Sequence, residues 1–271
     1  MQKELLQGST VITSAANESV KYVRALHRRR KRYQEQVFVG EGLRTIEDSI
    51  TAGVEPAFLF HTLQALEQPR ARAVVSRAEG LGASVRSVSD SVMEAMSDTV
   101  TPSGILGVFP MAVSAIPYPL KWVLVLDRLR DPGNAGTILR SALAAGVDAV
   151  ITSKGTVDVY SPKVVRAAMG AHFRLTLCPD QPWRLIGAAL QGLQVLVARP
   201  RDGVPYWEVD WQRPTALVIG GEAEGVGPEA EKVATGHVTI PMRDSAESLN
   251  AAVAAGVLLM EASRQQSSRG S

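Results

Sequence analysis

Three segments of the sequence combine glycines with polar side chains, and each follows an apolar run. Amide, carboxylate, hydroxyl and guanidinium groups in such segments can hold a polar ligand or stabilise developing charge. In open parallel sheets, ligands bind beyond the carboxyl ends of the strands, where these segments are expected to lie. The polar candidates in the three segments, in chain order, are Asn134 and Arg140, then Glu222, then Ser248 and Asn250.

Each candidate also has a purely structural interpretation. Asn134 precedes a predicted helix and is equally well explained as its N-cap, and Ser248 could cap the last helix. The glycine-rich residues 220–227 could be simply a flexible turn with no ligand-binding role. Arg140 is either an exposed helix residue or a fork of donors for a phosphate or an alkoxide.

Several classes of function are poorly supported. The first segment has neither the GxGxxG pattern of a dinucleotide site nor the GxxxxGK pattern of a P-loop. Cys178 is the only cysteine, and the four histidines show no ligand spacing, so we expect no metal. The N-terminus lacks the apolar core of a signal peptide, and no run approaches the roughly 20 apolar residues of a membrane span. We therefore expect a cytoplasmic protein that does not enter a membrane.

Hydrophobic periodicity divides the chain into two regions. Residues 1–109 alternate short helices and strands, which predicts a small α/β domain. Residues 110–120 contain three prolines and are predicted to be a linker. Residues 121–271 begin with the apolar run Trp122 to Leu126, typical of a strand buried on both faces, and then alternate helices with strands. This second region is predicted to be a parallel-sheet α/β domain.

A basic run lies near the start of the first region. Residues 21–32 contain seven Lys or Arg side chains and no acidic one, which favours a polyanionic partner, although many such runs are only solvated surfaces. We expect the run to lie at the far end of a helix capped by Asn17. The candidate contacts are Lys21, Arg24, Arg28, Arg29, Arg30, Lys31 and Arg32.

The three polar segments, taken in order, resemble the SpoU/TrmH family of SPOUT methyltransferases. They read DPGNAGTILRSALAAG from residue 131, LVIGGEAEGVGPE from residue 217 and IPMRDSAESLNAAVAAG from residue 240. The middle segment GAHFRL, from residue 170, is also similar to the family. The first region resembles the RNA-binding extension of many members, which has a ribosomal-protein-like α/β fold.

The resemblance implies a C-terminal trefoil knot, S-adenosylmethionine as cofactor, and methylation of a ribose 2′-hydroxyl in RNA. It also implies a homodimer whose active site draws on both subunits. The family's functional side chains correspond here to Asn134, Arg140, Glu222, Ser248 and Asn250. The residues expected to line the cofactor are Gly220, Gly221, Glu222, Ile240, Met242, Ser248 and Leu249.

Two points qualify the resemblance. Ala223 stands where many members have glycine, and its methyl group narrows the conformations open to the loop. The family implicates the arginine, here Arg140, in activating the hydroxyl, but arginine does not deprotonate in proteins. We therefore expect Arg140 to stabilise the alkoxide or to hold a phosphate, while another group or water accepts the proton.

Two alternatives remain open at this point. One is a catalytically silent RNA-binding protein on the same fold, which the intact set of five polar residues disfavours. The other is a tRNA methyltransferase. The first region favours ribosomal RNA, because minimal tRNA-type members usually lack such a domain.

Overall fold

A computed structural model describes residues 11–112, 114–222, 224–243 and 248–267. The chain forms two compact units. The first comprises Met1–Met111 together with Tyr160–Phe173, and the second comprises Ala112–Val159 and Arg174–Ser271. Residues 160–173, which lie inside the second region in sequence, thus pack as part of the first unit. Within the described ranges, no helix is long and apolar enough to cross a membrane.

The first unit is a four-stranded sheet with helices packed around it. The strands have the order β1-β4-β2-β3, in which β4 is antiparallel to both neighbours and β2 is parallel to β3. Its elements are α1 (Glu18–Leu26), α2 (Arg29–Glu35), β1 (Val37–Glu41), α3 (Leu43–Thr51), β2 (Phe58–His61), α4 (Pro69–Gly80), β3 (Ser84–Ser87), α5 (Asp90–Met96), β4 (Ile105–Pro110), α7 (Pro162–Ala168) and two 3₁₀ turns, Ala65–Glu67 and Ala171–Phe173.

The basic run does not continue the first helix, so that prediction was wrong. Asn17 does cap α1, since its side chain accepts a hydrogen bond from the amide of Ser19. The chain then becomes extended at Arg28 and starts the separate helix α2. Arg32 is 2% exposed and donates to the carbonyls of Leu26 and His27, which lie at the end of α1. These carbonyls have no partner inside the helix, and the arginine satisfies them.

An aromatic cluster joins residues 160–173 to the sheet of the first unit. The ring of Phe38 on β1 lies 5.2 Å from that of Tyr160 and 5.8 Å from that of Phe173. Phe173 also packs against Phe109 on β4, with ring centroids 4.9 Å apart. Burial of such large rings contributes strongly to stability, which explains why this segment belongs to the first unit.

The second unit is a seven-stranded parallel sheet with the strand order β7-β6-β5-β10-β8-β11-β9. This confirms the predicted parallel-sheet α/β fold. Its elements are β5 (Trp122–Asp127), α6 (Pro132–Ala145), β6 (Ala149–Ser153), β7 (Leu177–Gln181), α8 (Trp183–Ala189), β8 (Gln194–Arg199), β9 (Val204–Pro205), β10 (Thr215–Gly220), α9 (Pro228–Val233), β11 (Gly236–Thr239) and α10 (Ala251–Ser267).

The predicted central strand is confirmed, because every residue of β5 is buried. Other elements differ from their sequence predictions. Strand β7 starts at Leu177 rather than at Arg174, because the chain just before it still forms a 3₁₀ turn in the first unit. The short helix α9 and the two-residue strand β9 carry too little periodic pattern to be predicted.

Asp127, the last residue of β5, connects four parts of the second unit. Its carboxyl group is fully buried and accepts hydrogen bonds from the Ser153 hydroxyl on β6 and from the Trp183 indole N–H on α8, the latter at 3.0 Å. Its other oxygen accepts from the backbone N–H of Gly227 at 2.6 Å. A buried carboxyl group is costly unless its oxygens are paired, so these three donors are what make the site stable.

We predict that Asp127→Asn lowers the free energy of unfolding of the second unit by about 1–3 kcal/mol, the usual cost of leaving a buried polar group unpaired. An amide has only one acceptor oxygen, so at least one of the Ser153, Trp183 and Gly227 donors must lose its bond. Urea unfolding followed by tryptophan fluorescence measures the change.

The matched control is Glu55→Gln, which makes the same change from carboxyl to amide at an exposed position. It should unfold like the wild type. If Asp127→Asn also unfolds like the wild type, the buried carboxyl group does not hold these elements together.

Candidate active site

A pocket of about 650 Å³ opens at the carboxyl ends of three adjacent strands, β10, β8 and β11. Its floor is apolar and includes Ile219, Val238 and Leu258, while polar groups stand around the opening. All seven positions predicted to line a cofactor line this pocket, and so does Asn250: Gly220, Gly221, Glu222, Ile240, Met242, Ser248, Leu249 and Asn250. Concave, mostly apolar pockets with a few polar groups are typical of small-molecule sites.

Gly220 and Gly221 are required by the close approach of the protein's own backbone. A Cβ atom at Gly220 would lie 2.4 Å from the carbonyl carbon of Gly225, and one at Gly221 would lie 2.7 Å from the carbonyl oxygen of Arg128. Gly221 and Gly225 also exchange two backbone hydrogen bonds, at 2.9 and 3.0 Å. The loop is therefore tightly folded rather than a flexible turn. Ala223 lies outside the described residues.

Three of the predicted polar side chains form one hydrogen-bonded chain. The Asn134 amide donates to the Glu222 carboxylate, and the Asn250 amide donates to the Asn134 carbonyl oxygen at 3.0 Å. These residues come from the start of α6, the glycine-rich loop and the segment before α10. Long-range packing thus brings together groups that lie 88 and 116 residues apart in sequence.

Neither Asn134 nor Ser248 acts as the helix cap that their structural interpretations assumed. Asp131 caps α6, and its side chain accepts from the Asn134 backbone N–H at 2.7 Å. Asn250 occupies the corresponding place before α10, since its side-chain oxygen accepts from the amides of Ala252 and Val253. Asn134 is therefore left with its side chain directed at Glu222, and Ser248 is exposed at the pocket lining.

Arg140 is not brought to the pocket of its own chain. It lies on the exposed side of α6 and is absent from the pocket lining, and no hydrogen bond or ion pair joins it to the residues the structure describes. Helix α10 packs against α6, with a Cβ at Gly256 falling 3.7 Å from the Ser141 hydroxyl. Apolar side chains of α10 nevertheless remain exposed, notably Val253 at 52% and Met260 at 43%.

The sequence analysis missed two contributions to the site. Asp127 fixes the end of the glycine-rich loop through Gly227, and its position at the carboxyl end of a buried strand was the available signal. The residues at and just after the end of β8 line the pocket next to β10, and they include Arg199. The Arg199 guanidinium is paired with the Glu231 carboxylate at 2.8 Å.

The basic candidates of the first unit differ in their exposure and in their ion pairs. Arg24, Arg28, Arg29 and Arg30 are exposed, and Arg29 lies over the ring of Tyr33 at 5.3 Å. Lys21 and Lys31 form surface ion pairs with Glu18 and Glu35. Arg32 is buried under α1, which corrects its assignment as an RNA contact, because its charge is used inside the protein.

The pocket provides hydrogen-bonding groups rather than a reactive nucleophile. Its lining includes the Asn250 amide, the Glu222 carboxylate and the Ser248 hydroxyl, and Asn134 is hydrogen-bonded to the first two of these groups. Burial raises the pKa of the Cys178 thiol to about 11, so this group stays protonated near neutral pH. Such an arrangement can bind and orient polar substrates, and the described residues contain no cluster of metal ligands.

Two family models match the chain, one for each part. The SpoU rRNA Methylase family matches residues 121–260, which include the pocket. The MRM3-like substrate binding domain matches residues 17–107.

Sequence matches to known proteins cover nearly the whole chain. A protein of Synechocystis named as an uncharacterized tRNA/rRNA methyltransferase is 35% identical, and the match covers 94% of each sequence. The 23S rRNA (guanosine(2553)-2′-O)-methyltransferase of Bacillus subtilis is 31% identical over 92% of this chain and 97% of its own. A solved structure of an rRNA methyltransferase from Sinorhizobium meliloti with bound AdoMet superposes with a TM-score of 0.81, at 31% identity over 94% of this chain and 98% of its own. The residues of the glycine-rich loop and of the hydrogen-bonded series Glu222–Asn134–Asn250 lie within the segment that the family model matches, and the protein belongs to the SpoU rRNA Methylase family.

Proposed function

We propose that this protein transfers a methyl group from S-adenosylmethionine to a ribose 2′-hydroxyl of ribosomal RNA. The observation that carries the proposal is the pocket at the ends of β8, β10 and β11, which the second and third family segments line and to which Asn134 of the first segment is joined by hydrogen bonds. The relatives named as rRNA methyltransferases, which match across both units, support the same reaction and the same class of RNA.

The pocket fits S-adenosylmethionine in size and in chemistry. Its apolar floor suits the adenine ring and the carbon chain of the cofactor, and the backbone groups of Gly220 and Gly221 are free of side chains. Ile240, Met242 and Leu249 would line the adenosine and methionine parts. We include the trefoil knot in the proposal, because the close backbone approaches at Gly220 and Gly221 are what a tightly threaded loop requires.

The reaction needs a ribose oxygen held in line with a methyl group and relieved of its proton. The bound cofactor supplies a methyl group on a sulfonium, which is already a good leaving group. Side chains of the protein position the ribose: the hydrogen-bonded series Glu222–Asn134–Asn250 fixes the rim, and the Ser248 hydroxyl is exposed beside it. A guanidinium near the ribose oxygen would stabilise its developing negative charge.

Arg140 supplies that guanidinium in our proposal, and it does so from a second subunit. It is exposed, lies outside the pocket of its own chain and has no partner among the described residues. The uncovered apolar side chains of α10, Val253 and Met260, support a homodimer that would bury them. In that dimer, Arg140 of one subunit faces the pocket of the other.

Ribosomal RNA is favoured over tRNA because the first unit matches a substrate-binding domain and carries the basic surface of Arg24, Arg28, Arg29 and Arg30. A catalytically silent RNA-binding protein is disfavoured, because all five of the family's polar residues are present.

We predict that the protein transfers labelled methyl from S-adenosylmethionine to ribosomal RNA, with no loss of activity in the presence of chelator.

Arg140→Ala should lower kcat on the order of 10²–10³-fold, the usual loss for one donor acting on developing charge. Cofactor affinity measured by titration calorimetry should stay the same, because Arg140 is not part of the pocket lining. Arg140→Lys should rescue only in part.

The matched control is Arg184→Ala, which removes an exposed arginine from α8. Mapping 2′-O-methyl positions in rRNA and tRNA then identifies the substrate. Methylation confined to tRNA would contradict the choice of rRNA, and an unchanged kcat for Arg140→Ala would remove that residue from the reaction.

A mixing experiment tests whether Arg140 acts on the partner's pocket. Arg140→Ala and Asn250→Ala are each expected to be inactive alone. If the arginine acts across the dimer, a mixed dimer contains one pocket with both residues intact, so refolding equal amounts together should restore about a quarter of wild-type activity. If it acts within its own chain, every pocket lacks one residue and no activity returns.

The basic surface is tested by salt dependence. Changing Arg28, Arg29 and Arg30 to Gln should weaken RNA binding and reduce the slope of log K against log salt by about two, since each lost phosphate contact removes about 0.7–0.9. Filter binding between low and moderate salt measures both effects.

The control removes the same amount of charge from exposed positions of the second unit, Arg184, Arg213 and Lys232. It should leave the slope nearly unchanged. Equal slopes for the two triple variants would mean that Arg28, Arg29 and Arg30 form only a solvated surface and do not contact phosphates.

A further inference from the structure

The first unit contains a second pocket, of about 370 Å³, between α1 and the strands β2 and β3. Neither the methyl-transfer site nor the basic run accounts for it. Strand β3 lies at the edge of the sheet, so the pocket opens beside an edge strand. It is lined by Glu18, Ser19, Tyr22, Phe58, Phe60 and Arg86.

Flat π-systems form the walls of this pocket. The ring of Tyr22 meets that of Phe58 edge to face, with centroids 6.1 Å apart, and Phe60 stacks behind Phe58 at 6.3 Å. Phe60 is fully buried, whereas Tyr22 and Phe58 are only partly covered. Tyr22 and Phe58 thus expose part of their rings at the surface of the first unit, while the buried Phe60 ring packs behind Phe58.

The guanidinium of Arg86 forms another wall of the pocket and is fixed in place by two contacts. Its carbon Cζ lies 5.4 Å from the centroid of the Phe58 ring, within the range of a cation–π interaction. One of its nitrogens donates to the Ser19 hydroxyl, so the group is anchored at both α1 and β2. An arginine plane held over an aromatic ring is a surface on which a nucleobase can stack.

The acidic groups near the pocket are each paired with a lysine and leave little net negative charge to repel a nucleic acid. Glu18 at the rim is paired with Lys21 at 2.8 Å, and Glu35 near Tyr22 is paired with Lys31 at 2.6 Å. Both carboxylates are therefore largely neutralised. Burial, followed by the proximity of Glu35, raises the pKa of the Tyr22 phenol. Its hydroxyl thus remains a donor for a polar base edge.

We propose that this pocket, formed by Tyr22, Phe58 and Arg86, binds one unpaired base of the RNA substrate. Tyr22 lies on the same helix as the exposed Arg24, so phosphates flanking the base would meet positive charge on α1. Base stacking gives affinity for single strands, whereas the phosphate contacts of α1 and α2 add attraction without regard to pairing. The inference rests on the proposed function, because it assumes an RNA substrate.

The test uses a short single-stranded oligoribonucleotide carrying one 2-aminopurine, and the same strand annealed to its complement. Wild-type protein should quench the fluorescence of the single strand and bind it more tightly than the duplex. Phe58→Leu keeps an apolar side chain but removes the flat ring. It should abolish the quenching and weaken single-strand binding roughly tenfold, as expected for one stacked base. The salt slope should stay the same, because no phosphate contact is lost.

The control variant is Trp207→Leu, which removes a ring that is 53% exposed in the second unit. It should bind and quench like the wild type. If Phe58→Leu also quenches and binds like the wild type, the pocket does not hold a base, although the proposed function would stand. If the wild type binds neither strand, both the pocket and the proposed function fail.

Photocrosslinking keeps the proposal testable if Phe58→Leu does not fold. The intact protein is irradiated with the same oligoribonucleotide carrying 5-iodouridine, which crosslinks to aromatic rings stacked on it. We expect the modified peptide to contain Tyr22 or Phe58. Crosslinks confined to other parts of the chain would overturn the assignment.

Discussion

The structure of the second unit depends on how closely its backbone segments approach one another beside the end of β5. Gly220 and Gly221 leave no room for a Cβ against Gly225 and Arg128, and the Asp127 carboxyl group accepts the amide of Gly227 where the loop ends. Buried polar groups must be paired, so this carboxyl group can be satisfied only when β5, β6, α8 and the loop are all in place. The pocket wall is therefore formed by the same contacts that close the fold.

This constraint explains how an RNA methyltransferase of the SpoU family can prepare its site before any ligand binds. The glycine-rich loop places Glu222 where Asn134 can donate to it, and Asn250 joins the chain while capping α10. These contacts hold the pocket rim in one arrangement, and a preorganised site needs little rearrangement during the reaction. The first unit carries exposed arginines and a small aromatic pocket on and beside α1 and α2, which are the groups that we propose contact RNA.

Much of the fold was predictable because its signals are local. The buried strand β5 is an unbroken apolar run, and Asn17 caps α1 as its residue type and position indicate. All seven positions that the sequence singled out for a cofactor line the pocket, since glycine-rich and polar segments after parallel strands converge at one sheet edge. The break between α1 and α2 was not predictable, because it depends on Arg32 reaching the carbonyls at the end of α1.

The sequence by itself thus determined the fold class, the family and eight of the residues that line the pocket, because hydrophobic periodicity and motif order can be read along the chain. Only the tertiary structure decided which of those residues touch. It joined Asn134, Glu222 and Asn250 by hydrogen bonds, left Arg140 outside the pocket of its own chain and buried Arg32. It also made Asp127 the common acceptor of three distant donors. Such contacts depend on distances between segments far apart in sequence, and no local pattern encodes those distances.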